Sequence, residues 1–314
     1  MNEYFEADRS LFEKLLNSKV EIIKQICGGN SKISVLKIKN EIIVAKHYMG
    51  NVERKRISLE REVSALEFLK AKKVGCVPKV IQVHKELSIT FLEYLPGKIP
   101  ASNKDTLFQM IAFVKLLKNA HNQDNSFPDA VGKVKAIPDL LIQIENRLTS
   151  LEYLLPNSNF IQGAHDIFSG LASFNFISIF PPDTYSVSDF GTHNMLCING
   201  SCKFLDLEFF GADSPVKLIA DFLLHPQNTF SRPLRSIFYK ELKEFFNMDD
   251  SVILELLPLY ALNWGLIVLR RLEISRGATT LDAEKEILTL AASFFNKALC
   301  SGNQILAEAI YLDP

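Results

Sequence analysis

The sequence predicts an α+β fold in two lobes. A small N-terminal antiparallel sheet lobe with one helix takes residues 1–95, and a larger, mainly helical lobe takes residues 96–314. Three observations carry this expectation. β-branched and apolar runs crowd residues 20–45 and 79–93 around short polar turns, as strands do. Leu95-Pro96-Gly97 then breaks the pattern, and from Asp105 onward helical periodicity takes over. Finally, 314 residues exceed one ordinary core, so a smaller and a larger part are expected.

The elements follow in order. Residues 2–18 have helical spacing (Leu11, Phe12, Leu15, Leu16) and lead into a strand at 20–26. Gly28-Gly29-Asn30-Ser31 is a turn cluster, with Ile33 to Ile38 and Ile42 to Ala45 as the next two strands. From Glu53 to Ala71, Ile57, Leu59, Val63, Leu66 and Leu69 form the apolar stripe of an amphipathic helix. Strands near 79–85 and 87–93 close the first lobe. Helices are expected over 105–122, 138–153, 161–174, 215–223, 231–247, 251–275 and 281–311, with loops near 122–130 and 154–159 and a β-rich island at 185–210.

Composition narrows the function. With 47% hydrophobic and 23% charged residues the chain is an ordinary globular protein rather than a disordered one. Its 35 basic and 36 acidic side chains nearly cancel, so no general field attracts nucleic acid or an anionic membrane, and neither is expected as a partner. Oligomeric state is left open. The polar, acidic start MNEYFEADRS lacks the pattern of a secretory signal and reads as cytoplasmic. The apolar stretch around Pro258 to Leu272, interrupted by Asn263, Arg270 and Arg271, reads as a buried helix. Cys27, Cys76, Cys197, Cys202 and Cys300 are scattered and are expected as free thiols.

The β-rich island holds the sharpest local signal. In LCINGSCKFLDL, Asn199-Gly200 is the dipeptide of a two-residue type I′ turn. It pairs Ile198 with Ser201 and Cys197 with Cys202, and returns Asn194 and Asp206 to one end as two hard-cation ligands. Phosphoryl transfer needs phosphate positioning, a divalent cation and a carboxylate that orients the attacking hydroxyl. The Gly28–Ser31 turn offers backbone N–H groups to a phosphate, although most such turns are plain hairpin connections. Lys46 follows the apolar strand and is placed to reach α- and β-phosphates, against the alternative of a solvated lysine. Glu62 shares a helix face with Leu66 and Leu69 and is its expected partner, whereas Glu60 points to another side and reads as surface. Asp189 and Asn194 form a D-x-x-x-x-N pattern: Asp189 as the hydroxyl-orienting or base group, Asn194 and Asp206 as magnesium ligands. For an isolated Asp-Asn pair, turn and capping chemistry is the commoner role.

The stretches GGNSKISVLKI, IIVAKHY, REVSALEFL, VPKVI, FLEYLPG, SDFGTHNML and FLDLEFFGADSPVKLIADFLLHP, in this order over residues 28–226, resemble the aminoglycoside phosphotransferase and choline kinase superfamily. The resemblance implies a protein-kinase-like fold, ATP and Mg²⁺ as cofactors, and a small-molecule alcohol as substrate. It implies Lys46 on phosphate with Glu62 as partner, the backbone of Glu93, Tyr94 and Leu95 as adenine hinge, Asp189 as catalytic, and Asn194 and Asp206 on the metal. Where the family usually has His-Gly-Asp this chain has Val187-Ser188-Asp189, which loses a structural brace of the loop. Glu208 resembles the second acid of an Asp-x-Glu pair, on the same strand face as Asp206, in support of metal or a cationic substrate or else in a salt bridge. Asp221 matches a family acid that braces the loop, and a structural role is expected for it.

Outside the resemblance, His193 reads more readily as structural than as an acid–base group, since positioning dominates this chemistry. Trp264, Tyr260, Arg270 and Arg271 lie on a late helix, with core packing the commoner role for the aromatics and a solvated position for the arginines. The acids of 231–275 gather only at Glu241, Glu244, Asp249 and Asp250, which disfavours an aminoglycoside acceptor. Two other readings compete with a small-molecule kinase. One is a catalytically degenerate kinase-like binding protein, suggested by Val187; the other is a protein kinase, disfavoured because no long activation segment follows Asp206.

Overall fold

The computed structural model describes residues 2–28, 30–155, 158–174, 183–274 and 281–310. They fall into two compact units, Met1–Pro100 with Asn194–Phe210, and Ala101–His193 with Gly211–Pro314. The boundary expected after residue 95 treats 96–314 as one piece, whereas here Asn194–Phe210 groups with the first unit. The reason is backbone pairing. Phe204 donates its N–H to the Cys76 carbonyl at 2.8 Å, and Lys98 and Cys197 exchange N–H···O bonds of 3.3 and 2.9 Å. Gly97 permits that approach, because a Cβ there would lie 3.0 Å from the Cys197 carbonyl oxygen.

In the first unit, α1 (Asn2–Leu16) precedes three strands, β1 (Glu21–Gly28), β2 (Ser31–Ile38) and β3 (Glu41–Tyr48). After them come α2 (Val52–Ala71), β4 (Val80–His84) and β5 (Ile89–Glu93). The five strands form one sheet in the order β1-β2-β3-β5-β4, antiparallel throughout. Strand alternation divides β3 between two faces. Ile43 and Ala45 join Phe12 of α1, Leu36, Ile89 and Phe91 in an apolar cluster. Lys46 and Tyr48, out of phase with them, both bond Glu62 of α2. That helix starts at Asn51, whose side chain caps the Arg54 N–H at 2.9 Å. Its buried face is Leu59, Glu62, Ala65, Leu66 and Leu69: Glu62 lies inward with Leu66 and Leu69 as expected, while Ile57, expected on the apolar stripe, is exposed.

The Asn199-Gly200 hairpin has the expected register, Ile198 opposite Ser201 and Cys197 opposite Cys202, with positive φ at both turn residues. One expectation fails here. Cys197 and Cys202 form a disulfide, their Cα atoms 4.0 Å apart, rather than two free thiols. The register itself brings the sulfurs into bonding reach. Cys27, Cys76 and Cys300 are free.

In the second unit, α3 (Lys104–Gln123), α4 (Ile137–Leu154) and α5 (Asn159–Ala172) precede a short pairing of Thr184–Ser186 with Gly211–Asp213. Then come α6 (Pro215–Leu224), α7 (Arg232–Phe245), α8 (Asp250–Leu269), α9 (Arg271–Ile274), α10 (Leu281–Ala298) and α11 (Gly302–Ile310). The helix α8 is long and apolar enough to cross a membrane by length and composition, but 72% of its most apolar window is buried. It is the core helix of this unit, against which α4, α5, α6, α10 and α11 pack.

Two expected helices are shorter than periodicity suggested. The one over 251–275 stops at Leu269, with α9 after Arg270 and residue 275 outside the described residues. The one over 281–311 is broken into α10 and α11 by a reciprocal cap. The Ser301 N–H bonds Gln304 Oε1 at 2.8 Å while the Gln304 N–H bonds Ser301 Oγ at 3.3 Å. Packing reinforces the break. Pro258 has no N–H for the Leu254 carbonyl four residues before it, and α11 starts against that carbonyl, where a Cβ on Gly302 would sit 1.8 Å from the oxygen.

Gly302→Ala is therefore expected to lower stability by about 1–3 kcal/mol, because backbone on both sides has to move. Gly163→Ala, inside α5 with nothing within 4 Å, is expected to raise it by roughly 0.4–1 kcal/mol. Urea denaturation midpoints of the two variants check this; equal shifts would refute the contact at Gly302.

Candidate functional site

The first unit gathers two of the expected acids, Glu62 and Asp206, around the Lys46 ammonium. Lys46 Nζ lies 2.6 Å from Glu62 Oε2 and 2.7 Å from Asp206 Oδ1. Tyr48 donates its hydroxyl to the same Glu62 oxygen at 2.7 Å and turns its ring face toward Nζ at 5.1 Å. Lys46 is 4% exposed and Glu62 1%, so the solvated-lysine alternative is excluded. Burial drives the Lys46 pKa down, but the charges of Glu62 and Asp206 and their hydrogen bonds outweigh it, and the net shift is upward. Glu60 instead pairs with Arg56 at 3.3 Å on the surface.

Asn194 and Asp206 return to one end of the hairpin, where the Leu205 N–H bonds the Asn194 carbonyl at 2.8 Å. The strand stops at Phe204, and Asp206 has φ +60°, a left-handed backbone that Asp tolerates better than most residues. Asp206 and Glu208 therefore do not share a strand face as expected. The Asp206 side chain is 37% exposed, whereas Glu208 is 2% exposed. Burial, then the Asp206 charge, pushes the Glu208 carboxyl up. Its Oε1 accepts from Asn30 Nδ2 at 2.7 Å, and among the described residues its Oε2 has no partner.

Asn30 is clamped from the other side as well, since Arg54 donates to its Oδ1 at 2.7 Å. Its carbonyl takes the Met49 N–H at 2.7 Å. Gly28 pairs with Ser31 at the ends of β1 and β2. Gly29 lies outside the described residues. Glu93 ends β5, followed by Tyr94 and Leu95; its N–H is held by the Lys79 carbonyl at 2.9 Å, so that group is not one that faces a base. Sequence reasoning missed Tyr48 and Arg54. Tyr48 was findable, two residues after Lys46 on the same strand face.

In the second unit, Asp189 Oδ1 lies 3.1 Å from His193 Nε2 and 3.1 Å from His225 Nε2. Burial pushes the Asp189 carboxyl up, but the hydrogen bonds and charge of the two imidazoles outweigh this and hold it well below the usual carboxylate range. His193 and His225 stack at 5.2 Å, and Trp264 meets His225 edge-on at 4.9 Å. His225 was missed, because nothing local marks it at the end of α6. Val187 is buried. Asp221 pairs with Lys217 at 2.9 Å, and Lys217 also pairs with the buried Asp213 at 3.2 Å. Tyr260 is fully buried, as core packing predicts, and Arg270 is exposed at the end of α8.

No protein-family profile matches the sequence, nor does any curated protein. Solved structures do match. Choline kinase LicA from Streptococcus pneumoniae superposes with a TM-score of 0.63 at 17% identity, over 94% of this chain and 99% of that one. A ternary complex of aminoglycoside phosphotransferase APH(4)-Ia with ADP and hygromycin B gives 0.60 at 14% identity, over 93% and 99%. A choline/ethanolamine kinase family protein from Mesorhizobium loti gives 0.59 at 14%, over 96% and 99%. The chain has the fold of these small-molecule kinases.

Of the four acids gathered in 231–275, Glu241, Asp249 and Asp250 are already engaged. Glu241 pairs with Lys115 at 3.2 Å, Asp250 with Lys243 at 2.7 Å and with the Tyr239 hydroxyl, and Asp249 caps α8. The Lys46 cluster makes the sharper claim. Glu62→Ala strips a buried ammonium of its most buried partner and is expected to cost about 3–5 kcal/mol. Asp206→Asn, at a more exposed partner, is expected to cost less than about 1 kcal/mol. Denaturant titration of both variants checks the ranking, and a larger loss at Asp206 would contradict it.

Proposed function

We propose that this protein is an ATP- and Mg²⁺-dependent phosphotransferase whose acceptor is a hydroxyl group of a small molecule. The observation that carries the reading is the buried Lys46 ammonium fixed by Glu62 and Asp206. Such a charge, oriented by a helix acid and kept protonated, is suited to hold phosphate oxygens. Asp206 and Asn194 are hard oxygen donors at one hairpin end, and Glu208 adds a buried carboxylate oxygen without a partner among the described residues. This donor set fits magnesium, with Asn194 and Asp206 as ligands and Glu208 in support. Bound there, magnesium would neutralise phosphate charge.

The remaining roles follow. Gly28, Gly29, Asn30 and Ser31 cover the phosphates, with the Asn30 side chain held by Glu208 and Arg54 so that the turn keeps its shape. The chain from Glu93 through Tyr94 to Leu95 receives the adenine. Asp189 accepts a hydrogen bond from the acceptor hydroxyl and aims its oxygen at the γ-phosphorus. As that O–P bond forms, the bond to the ADP oxygen breaks and the hydroxyl proton passes to solvent water. A carboxyl held so far below its usual range is a weak base, so Asp189 orients more than it abstracts. A cytoplasmic location, where ATP is supplied, goes with this reading. The engagement of Glu241, Asp249 and Asp250 favours a neutral or singly charged alcohol over a polycation. The competing reading, binding without turnover, rests on Val187 in place of a bracing histidine.

Asp189→Asn is expected to lower turnover by roughly 10² to 10⁴ while ATP–Mg²⁺ affinity survives. Asp206→Asn is expected to lose activity and most of the magnesium dependence of nucleotide affinity. Calorimetry with a non-hydrolysable ATP analogue, with and without Mg²⁺, tests the binding half. Turnover is measured on alcohols chosen by a thermal-shift screen. A wild-type protein that binds the analogue and phosphorylates nothing supports the binding-protein reading; one that binds no nucleotide refutes both.

A further inference from the structure

The Asp189 carboxylate receives two imidazoles on one oxygen, and the three ligand atoms of Asp189, His193 and His225 lie within 4.8 Å of one another. That spacing would suit a transition-metal ion. One hydrogen bond decides against it. The backbone N–H of Gln227 points at His225 Nδ1 at 3.1 Å, so Nδ1 is the acceptor and the ring proton lies on Nε2, facing Asp189. A metal on Nε2 would need the proton on Nδ1, directed at the Gln227 N–H.

Other features fix the same ring. The His225 side chain is 7% exposed, edge-on to Trp264 and stacked on His193. His193 in turn lies where only glycine leaves room, since a Cβ on Gly191 would sit 2.5 Å from its ring. Its Nδ1 is buried without a partner among the described residues, which favours the tautomer with the proton on Nε2, because a buried lone pair is tolerated better than a buried unpaired N–H. Two residues before Asp189 stands the apolar Val187, which has no side-chain donor.

We infer that His225 is a positioning residue: its Nε2–H, held in that tautomer by the Gln227 backbone, sets the direction in which Asp189 presents its carboxylate to the acceptor hydroxyl. The inference rests on the phosphotransferase reading of Asp189 for its catalytic consequence, but not for its geometry. The brace comes from the end of α6, 36 residues beyond Asp189 in sequence, instead of from the residues just before it. His193 supplies a parallel donor from inside the loop.

Two measurements test this. Long-range ¹H–¹⁵N correlation spectra of the full chain, with His225 assigned by its absence from the His225→Gln spectrum, should show the Nε2–H tautomer. An Nδ1–H tautomer, or Zn²⁺ bound in the micromolar range and lost in His225→Ala, would overturn the inference. On an acceptor found by the screen, His225→Ala should lower kcat roughly 10- to 100-fold through misorientation, with ATP-analogue affinity unchanged. His225→Gln, whose amide N–H reaches the same place, should recover much of that loss. Unchanged kcat in His225→Ala, or a loss in both variants that tracks their melting temperatures, would reduce His225 to packing. If wild type transfers phosphate to nothing, the phosphotransferase reading falls and takes the catalytic consequence with it; a wrong tautomer sinks this inference alone.

Discussion

A buried ammonium constrains the first unit more than any other feature. Removing Lys46 from water carries a desolvation penalty of several kcal/mol, which nothing apolar can offset. Two carboxylates must therefore arrive from different parts of the chain, Glu62 from α2 and Asp206 from beyond the hairpin, and each fixes a distance to β3. This is why α2 buries an acid on the face it shares with Leu66 and Leu69. It is also a local reason for Asn194–Phe210 to return to the first 100 residues. Backbone pairing at Cys76 and Lys98 docks the hairpin, and the ion pair sets where its end must lie.

The features legible in the sequence are those with a short-range cause. Asn199-Gly200 determines a turn and hence a register, and Lys46 and Glu62 can be paired because each sits on a regular element whose period says which way it points. One error lies in the period itself: Ile57 sits on the side of α2 opposite Leu66 and is exposed. The others arise where a distant contact overrides the period. Periodicity runs through residues 299–301 without pause, and only the Ser301–Gln304 cap and the crowding at Leu254 end α10 there. That S-x-x-Q signal was readable. His225 and the Asn30–Glu208 bond were not, since they join residues 36 and 178 apart. The disulfide goes with the register, which sets Cys197 opposite Cys202, whereas the scatter of the five cysteines along the sequence points to free thiols.

Asp206 and Glu208 show how backbone conformation separates two acids that sequence spacing makes look alike. On a continuing strand they would share a face and an environment. With the strand ended at Phe204 and Asp206 at φ +60°, the chain turns between them. Asp206 keeps contact with water and pairs with the Lys46 ammonium. Glu208 is drawn inward, where desolvation works against ionisation, and one oxygen is tied to Asn30 just before β2.

The same separation gives Glu208 a mechanical part that a pure metal ligand would lack. Asn30 bonds Glu208 through its amide nitrogen and Arg54 through its amide oxygen, so one side chain joins the β1–β2 turn to the segment after the hairpin and to the first turn of α2. Those segments also carry Asp206 and lead to Glu62, the two acids that orient Lys46. A displacement of the turn would be felt by both acids through covalently short paths. The buried, unpartnered Oε2 of Glu208 adds a reason for the cluster to respond to a cation: an ion reaching that oxygen would relieve a desolvation cost the protein otherwise carries. Asn30, Glu208 and Arg54 thus form one hydrogen-bonded group and Lys46, Tyr48, Glu62 and Asp206 another, and the two are joined by the chain itself, through α2 from Arg54 to Glu62 and through the segment that carries Asp206 and Glu208.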